Sequence, residues 1–96
     1  MVVGTVKETK VHEYRVGLTP ACARADVAEG HRVLVEQGAG AEIGFEDAQY
    51  REQWAEILPD ASAVFAAAEM LVKVKEPQPE EVGHLRSGQI LYTYLH

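Results

Sequence analysis

The run M-L-V-K-V-K-E-P, from Met70 to Pro77, constrains the fold more than any other stretch of this chain. Met70, Leu71, Val72 and Val74 are apolar without alternation. This is the pattern of a strand buried on both faces, as in a parallel sheet covered by helices. Pro77 has no N–H to offer a sheet ladder, so the strand must end before it. Lys75 and Glu76 are therefore expected just past the strand's carboxyl end, the edge at which open α/β sheets bind ligands. From spacing alone, Lys75 reads either as a ligand-binding cation or as a solvated surface lysine, and solvated lysines are the commoner case.

The remaining segments supply a sheet for that strand to join. Val2 to Val6 is a short β-branched run that predicts a first strand. The stretch from Lys7 to Arg15 is too polar for a core and lacks helical period, which predicts a loop at that strand's carboxyl end. Arg15 carries a planar fork able to hold a carboxylate through two parallel hydrogen bonds, or it is a surface arginine paired with Glu8 or Glu13. Thr19-Pro20 then opens a helix, with a hydroxyl to cap the free amides and proline in the first turn. The helix is expected to reach about Glu29 and stop at Gly30. Val33 to Val35 follows as a second strand, completing a right-handed crossover unit with parallel strands.

Gly38 to Gly44 reads G-A-G-A-E-I-G, but a dinucleotide-phosphate fingerprint would need glycine where Ile43 stands, so a loop is expected. Phe45 to Trp54 has helical character, Glu56 to Leu58 suits a short edge strand, and Asp60 can cap an alanine-rich helix from Ala61 to Ala68. After the strand at Met70, one or two helical turns are expected over Pro79 to Leu85. The segment Q-I-L-Y-T-Y-L-H then forms a last strand with His96 at or beyond its end. The predicted fold is α/β, a parallel sheet with helices on both faces. Arg15, Lys75 and His96 each lie past a different strand, so three separate loops can bring two cations and an imidazole to one edge. That set suits a small carboxylate substrate undergoing proton transfer.

Ninety-six residues allow one domain. A net charge of -6 without any Lys/Arg cluster argues against nucleic acid or an anionic membrane as partner. The single Cys22 can form no intrachain disulfide and reads as a small helix residue, and no motif has metal-ligand spacing. No run approaches the roughly 20 apolar residues of a membrane span, and the start does not read as a secretion signal. A cytoplasmic location is expected.

The chain resembles the N-terminal part of the NAD-dependent L-alanine dehydrogenases, within the wider alanine dehydrogenase and pyridine-nucleotide transhydrogenase family. The resemblance covers all 96 residues. It rests on K-E-T-K (Lys7 to Lys10), E-Y-R-V-G-L-T-P (Glu13 to Pro20), G-H-R-V-L-V-E (Gly30 to Glu36), G-A-G (Gly38 to Gly40), L-V-K-V-K-E-P (Leu71 to Pro77) and Y-T-Y-L-H (Tyr92 to His96). It implies an incomplete Rossmann- or flavodoxin-like substrate domain and oxidative deamination of L-alanine to pyruvate and ammonia. It also implies that Arg15 binds the substrate carboxylate, Lys75 holds a substrate oxygen, and His96 is the catalytic proton carrier. Lys75 is counted with both the catalytic and the substrate-binding residues.

Relatives leave other readings open. A transhydrogenase-like domain shares the R-V-x-x-T-P pattern but typically lacks K-E-P and the terminal histidine, and saccharopine dehydrogenase also pairs lysine with histidine. A stand-alone binding or assembly module, pairing with another chain or forming a homo-oligomer to cover a bare sheet face, is the non-enzymatic alternative. The family usually has an apolar residue at Asp26 and glycine at Trp54. Asp26 must therefore reach solvent or a partner. The resemblance implies that residues 1–96 correspond to the N-terminal part of the substrate domain and that NAD is bound by a separate domain outside them. The chain by itself is expected to bind no cofactor and to be inactive.

Overall fold

The helix signals of the sequence are realised by side chains bonding to backbone. In the computed structural model, which describes residues 1–10 and 12–94, the Thr19 hydroxyl accepts from the Cys22 amide at 3.2 Å at the start of α1 (Pro20–Ala28). Beyond that helix Gly30 takes φ +90°, a conformation that costs glycine little and other residues more. Asp60 likewise caps α3 (Ala61–Ala67), accepting from the Ala63 amide at 2.8 Å. The carbonyls at the far end of α3 are not left open. The Arg86 guanidinium donates to the Ala68 carbonyl at 2.6 Å, and the Gln89 side-chain Nε2 donates to the carbonyls of both Phe65 and Ala68 at 2.8 Å.

Five parallel strands, β1 (Val2–Thr5), β2 (Arg32–Glu36), β3 (Glu56–Leu58), β4 (Met70–Lys73) and β5 (Ile90–Thr93), form one sheet in the order β3-β2-β1-β4-β5. The described residues also include a 3₁₀ turn at Ala41–Ile43, the short helix α2 (Asp47–Glu52) and the single turn α4 (Pro79–Val82). Alternation along the strands sends side chains to two cores. Val3, Val33, Val35 and Val72 pack with Ala23 of α1 and Tyr50 of α2, while Leu34 and Leu71 pack with Val64 and Phe65 of α3. Helices thus lie on both faces, as the unbroken apolar runs require. Each such valine or leucine taken fully out of water contributes about 1.5–3 kcal/mol relative to exposure.

Two strands fall short of the sequence reading, and the structure accounts for two side chains that the reading singled out. The first strand ends at Thr5 and the fourth at Lys73, each one residue short of expectation, although Val6 and Val74 stay buried. Trp54 has φ +67° and is 81 % exposed, so its backbone occupies the left-handed region that glycine adopts more readily than other residues. Asp26, on the α1 face toward the sheet, is half-buried rather than enclosed. It meets solvent through an open groove of about 350 Å³ between α1 and β4–β5, floored by Leu18, Met70 and Val72 and rimmed by Tyr92 and Tyr94.

Candidate active site

The strand order places a topological switch point at β1. Its connection leads out to β2 on one side, while β4 pairs with its other side. In open α/β sheets ligands bind beyond the carboxyl ends of the strands at such a point, which here is flanked by the loop after β1 and the loop after β4. Those two loops carry Arg15 and Lys75.

Several contacts tie the loops together. The Thr5 hydroxyl donates to the Val72 carbonyl at 2.8 Å in the core. Gly17 passes so close to β4 that a methyl group there would stand 2.2 Å from the Val72 oxygen, so only glycine fits. At the surface Lys10 pairs with Glu76 at 2.7 Å. The deepest tie is ionic. Lys73 is fully buried, and its ammonium lies 3.1 Å from a Glu8 oxygen and 3.2 Å from a Glu81 oxygen. Glu8 also accepts the Val74 amide at 3.1 Å and the Lys75 amide at 3.2 Å, and Glu81 accepts the Gln78 amide at 2.8 Å.

This cluster corrects the sequence reading of Lys7 to Arg15 as too polar for burial. Glu8 is 7 % exposed, and burying it is tolerable because a cation and two amides satisfy its oxygens. Lys73, inside the apolar run, gave no local sign of its partners. Glu36, at the end of β2, was also missed. It accepts the Lys7 amide at 2.8 Å, and burial pushes its carboxyl up.

Arg15 is about half exposed. Its Nε donates to one Glu13 oxygen at 3.0 Å and its Nη2 to the other at 3.1 Å, while its backbone amide donates to Glu13 as well. Bonding with Arg15 holds the Glu13 carboxyl low, and the charge of Lys75 adds to the effect. The same bond raises Arg15, with a smaller contribution from Glu8. Arg15 and Lys75 are thus brought to one rim, sharing the field of Glu13. A guanidinium has five N–H donors, so side-on pairing through Nε and Nη2 leaves an outward pair on Nη1 and Nη2 for a second carboxylate. Among the described residues the Lys75 ammonium has no hydrogen-bonding partner. His96 lies outside the described residues.

Two concavities lie elsewhere. One of about 420 Å³ lies between α1 and the end of α2, beside Trp54, and another is the groove under Tyr92. Neither is lined by Arg15 or Lys75. Nor does the Gly38–Gly40 turn suit a dinucleotide phosphate. The Gly38 amide is already given to the Asp47 carboxylate at 2.8 Å, which both occupies the donor and repels an anion. No group of His, Cys, Asp and Glu able to hold a metal occurs among the described residues. Among the described residues no helix is long and apolar enough to cross a membrane.

Residues 4–96 match the family described as alanine dehydrogenase/PNT, N-terminal domain. Over all 96 residues the chain is 50 % identical to alanine dehydrogenase of Bacillus subtilis (strain 168) and 48 % identical to that of Halomonas elongata, covering 25 % and 26 % of their lengths. Among solved structures it is similar to an L-alanine dehydrogenase, with a TM-score of 0.95 and 44 % identity over 100 % of this chain and 26 % of that one. It is also similar to a transhydrogenase from Sinorhizobium meliloti, with a TM-score of 0.91 and 26 % identity over 99 % of this chain and 27 % of that one. The chain spans about a quarter of the length of these relatives. With a five-stranded parallel sheet of the same architecture and a match from residue 4 to residue 96, it belongs to the alanine dehydrogenase/PNT N-terminal domain family.

Proposed function

We propose that these residues are the N-terminal part of the substrate domain of an NAD-dependent L-alanine dehydrogenase, which interconverts L-alanine with pyruvate and ammonia. The observation that carries this reading is the placement of Arg15 and Lys75 on one rim at the β1–β4 switch point, with the outward donors of Arg15 unclaimed by Glu13. Arg15 clamps the substrate carboxylate and so fixes which carbon faces the reaction. Lys75 binds a substrate oxygen and stabilises charge developing on it. His96 takes and returns the proton, a role its imidazole suits near neutral pH. NAD, when bound by a nucleotide-binding domain elsewhere in the polypeptide, supplies the hydride acceptor. The 96 residues by themselves hold half a site and turn nothing over.

Identity of 48–50 % to alanine dehydrogenases, against 26 % to the transhydrogenase structure, favours the dehydrogenase reading over the transhydrogenase one. Titration of the isotopically labelled chain with pyruvate tests it. Signals of Arg15 and Lys75 should shift, and Arg15→Ala should abolish the response. Unshifted signals at millimolar pyruvate, or an Arg15→Ala chain that responds like the parent, would refute the assignment.

A further inference from the structure

We infer that Glu8 is a positioning residue for Lys75, an inference that rests on the reading of the rim as a keto-acid site. Lys75 follows the end of β4, where the ladder no longer fixes the backbone. Its amide and that of Val74 would be unpaired there, and both go to the Glu8 carboxylate, one to each oxygen. Glu8 is in turn held by the fully buried Lys73, which Glu81 grips from α4. The point from which the Lys75 side chain springs is therefore set by a residue in the same loop as Arg15.

Two features argue that this arrangement does more than join two loops. An apolar pair of similar volume would hold buried segments together without desolvating three charges, so the ionic cluster is not explained by stability alone. A carboxylate, in contrast, can receive two consecutive amides and fix their direction. Glu8 is buried beneath the rim, and the groups it touches belong to β4 and its loop. It acts on a bound keto acid through Lys75.

The test is a double-mutant cycle on the 96-residue chain, with pyruvate as the probe and Kd read from the chemical-shift titration. Glu8→Gln should weaken pyruvate about 10-fold, since displacements near 1 Å cost up to about 100-fold at positioned groups. In a Lys75→Met background the same substitution should change Kd less than about twofold, because the residue through which it acts is gone. A structural defect alone would weaken binding equally in both backgrounds, and that result would overturn the inference. So would a Glu8→Gln chain that binds as the parent does while the parent binds pyruvate, and this outcome leaves the keto-acid reading standing. A parent chain that ignores pyruvate sinks that reading and the inference with it. If Glu8→Gln does not fold, Glu8→Asp, which keeps the charge but withdraws the oxygens by one methylene, carries the same comparison. Hydrogen exchange on the parent gives an independent readout. The Val74 and Lys75 amides should be protected although both lie outside the strand, and exchange at unfolded-chain rates would refute their capture by Glu8.

Discussion

Replacing Lys73 by methionine separates what the buried cation contributes from what its side-chain volume contributes. Methionine fills similar space, so packing changes little, but the Glu8 and Glu81 carboxylates lose the ammonium within 3.1 and 3.2 Å of them. At an effective dielectric constant near 20, each contact is worth about 5 kcal/mol before desolvation. Desolvating the ions offsets most of that in the parent, so the cluster adds little net stability. The variant has no such compensation, because two carboxylates remain buried and face each other. Removing one partner of a buried pair costs about 3–5 kcal/mol, against a total near 5–15 kcal/mol for a domain of this size. The melting temperature should fall by about 12–40 °C, taking roughly 4–8 °C per kcal/mol. Circular dichroism melts measure this directly. A loss below about 1 kcal/mol would refute the buried triad as described.

Gly17→Ala would push a methyl group against backbone atoms of Val72 that cannot rotate away, so the Arg15 loop must lift from β4. A loss of about 1–3 kcal/mol by thermal melt should accompany loss of the pyruvate response, and a variant that keeps both would refute the close approach. Tyr50 donates to the Leu18 carbonyl at 2.7 Å, and burial pushes its phenol up to about 12. Because the folded value lies above the usual one near 10, this contribution is whole below about pH 10 and fades between about 10 and 12. Ultraviolet titration of parent against Tyr50→Phe should show Tyr50 ionising last, together with unfolding, and ionisation near pH 10 would contradict it. Tyr50→Phe should also cost about 1–3 kcal/mol, since the Leu18 carbonyl loses its donor.

The sequence was most legible where the signal is local. The Thr19 and Asp60 caps, Gly30 beyond α1 and the apolar strand runs depend on neighbours a few residues away, and each element formed close to where it was expected. Arg15 and Lys75 could be placed at strand ends for the same reason. Lys73 and Glu8 could not, because each owes its burial to a partner 65 residues off, and in isolation one reads as an interruption in a strand and the other as loop. The pairing of Arg15 with Glu13 was one of the readings open from sequence. That the pairing leaves the outer edge of the guanidinium available required coordinates. Trp54 could be marked as unusual among its relatives, but its left-handed backbone could not be inferred from composition or period.

The position of β1 bears on how the chain reaches this state. Its first-made strand is flanked by β2, some thirty residues on, and by β4, with Val3 paired to Met70. During synthesis, one margin of β1 stays open until the ribosome has delivered the Met70 run, and closing so wide a loop is slow. A nascent chain stalled before that point would present an unpaired apolar strand, the condition in which chaperones are most needed.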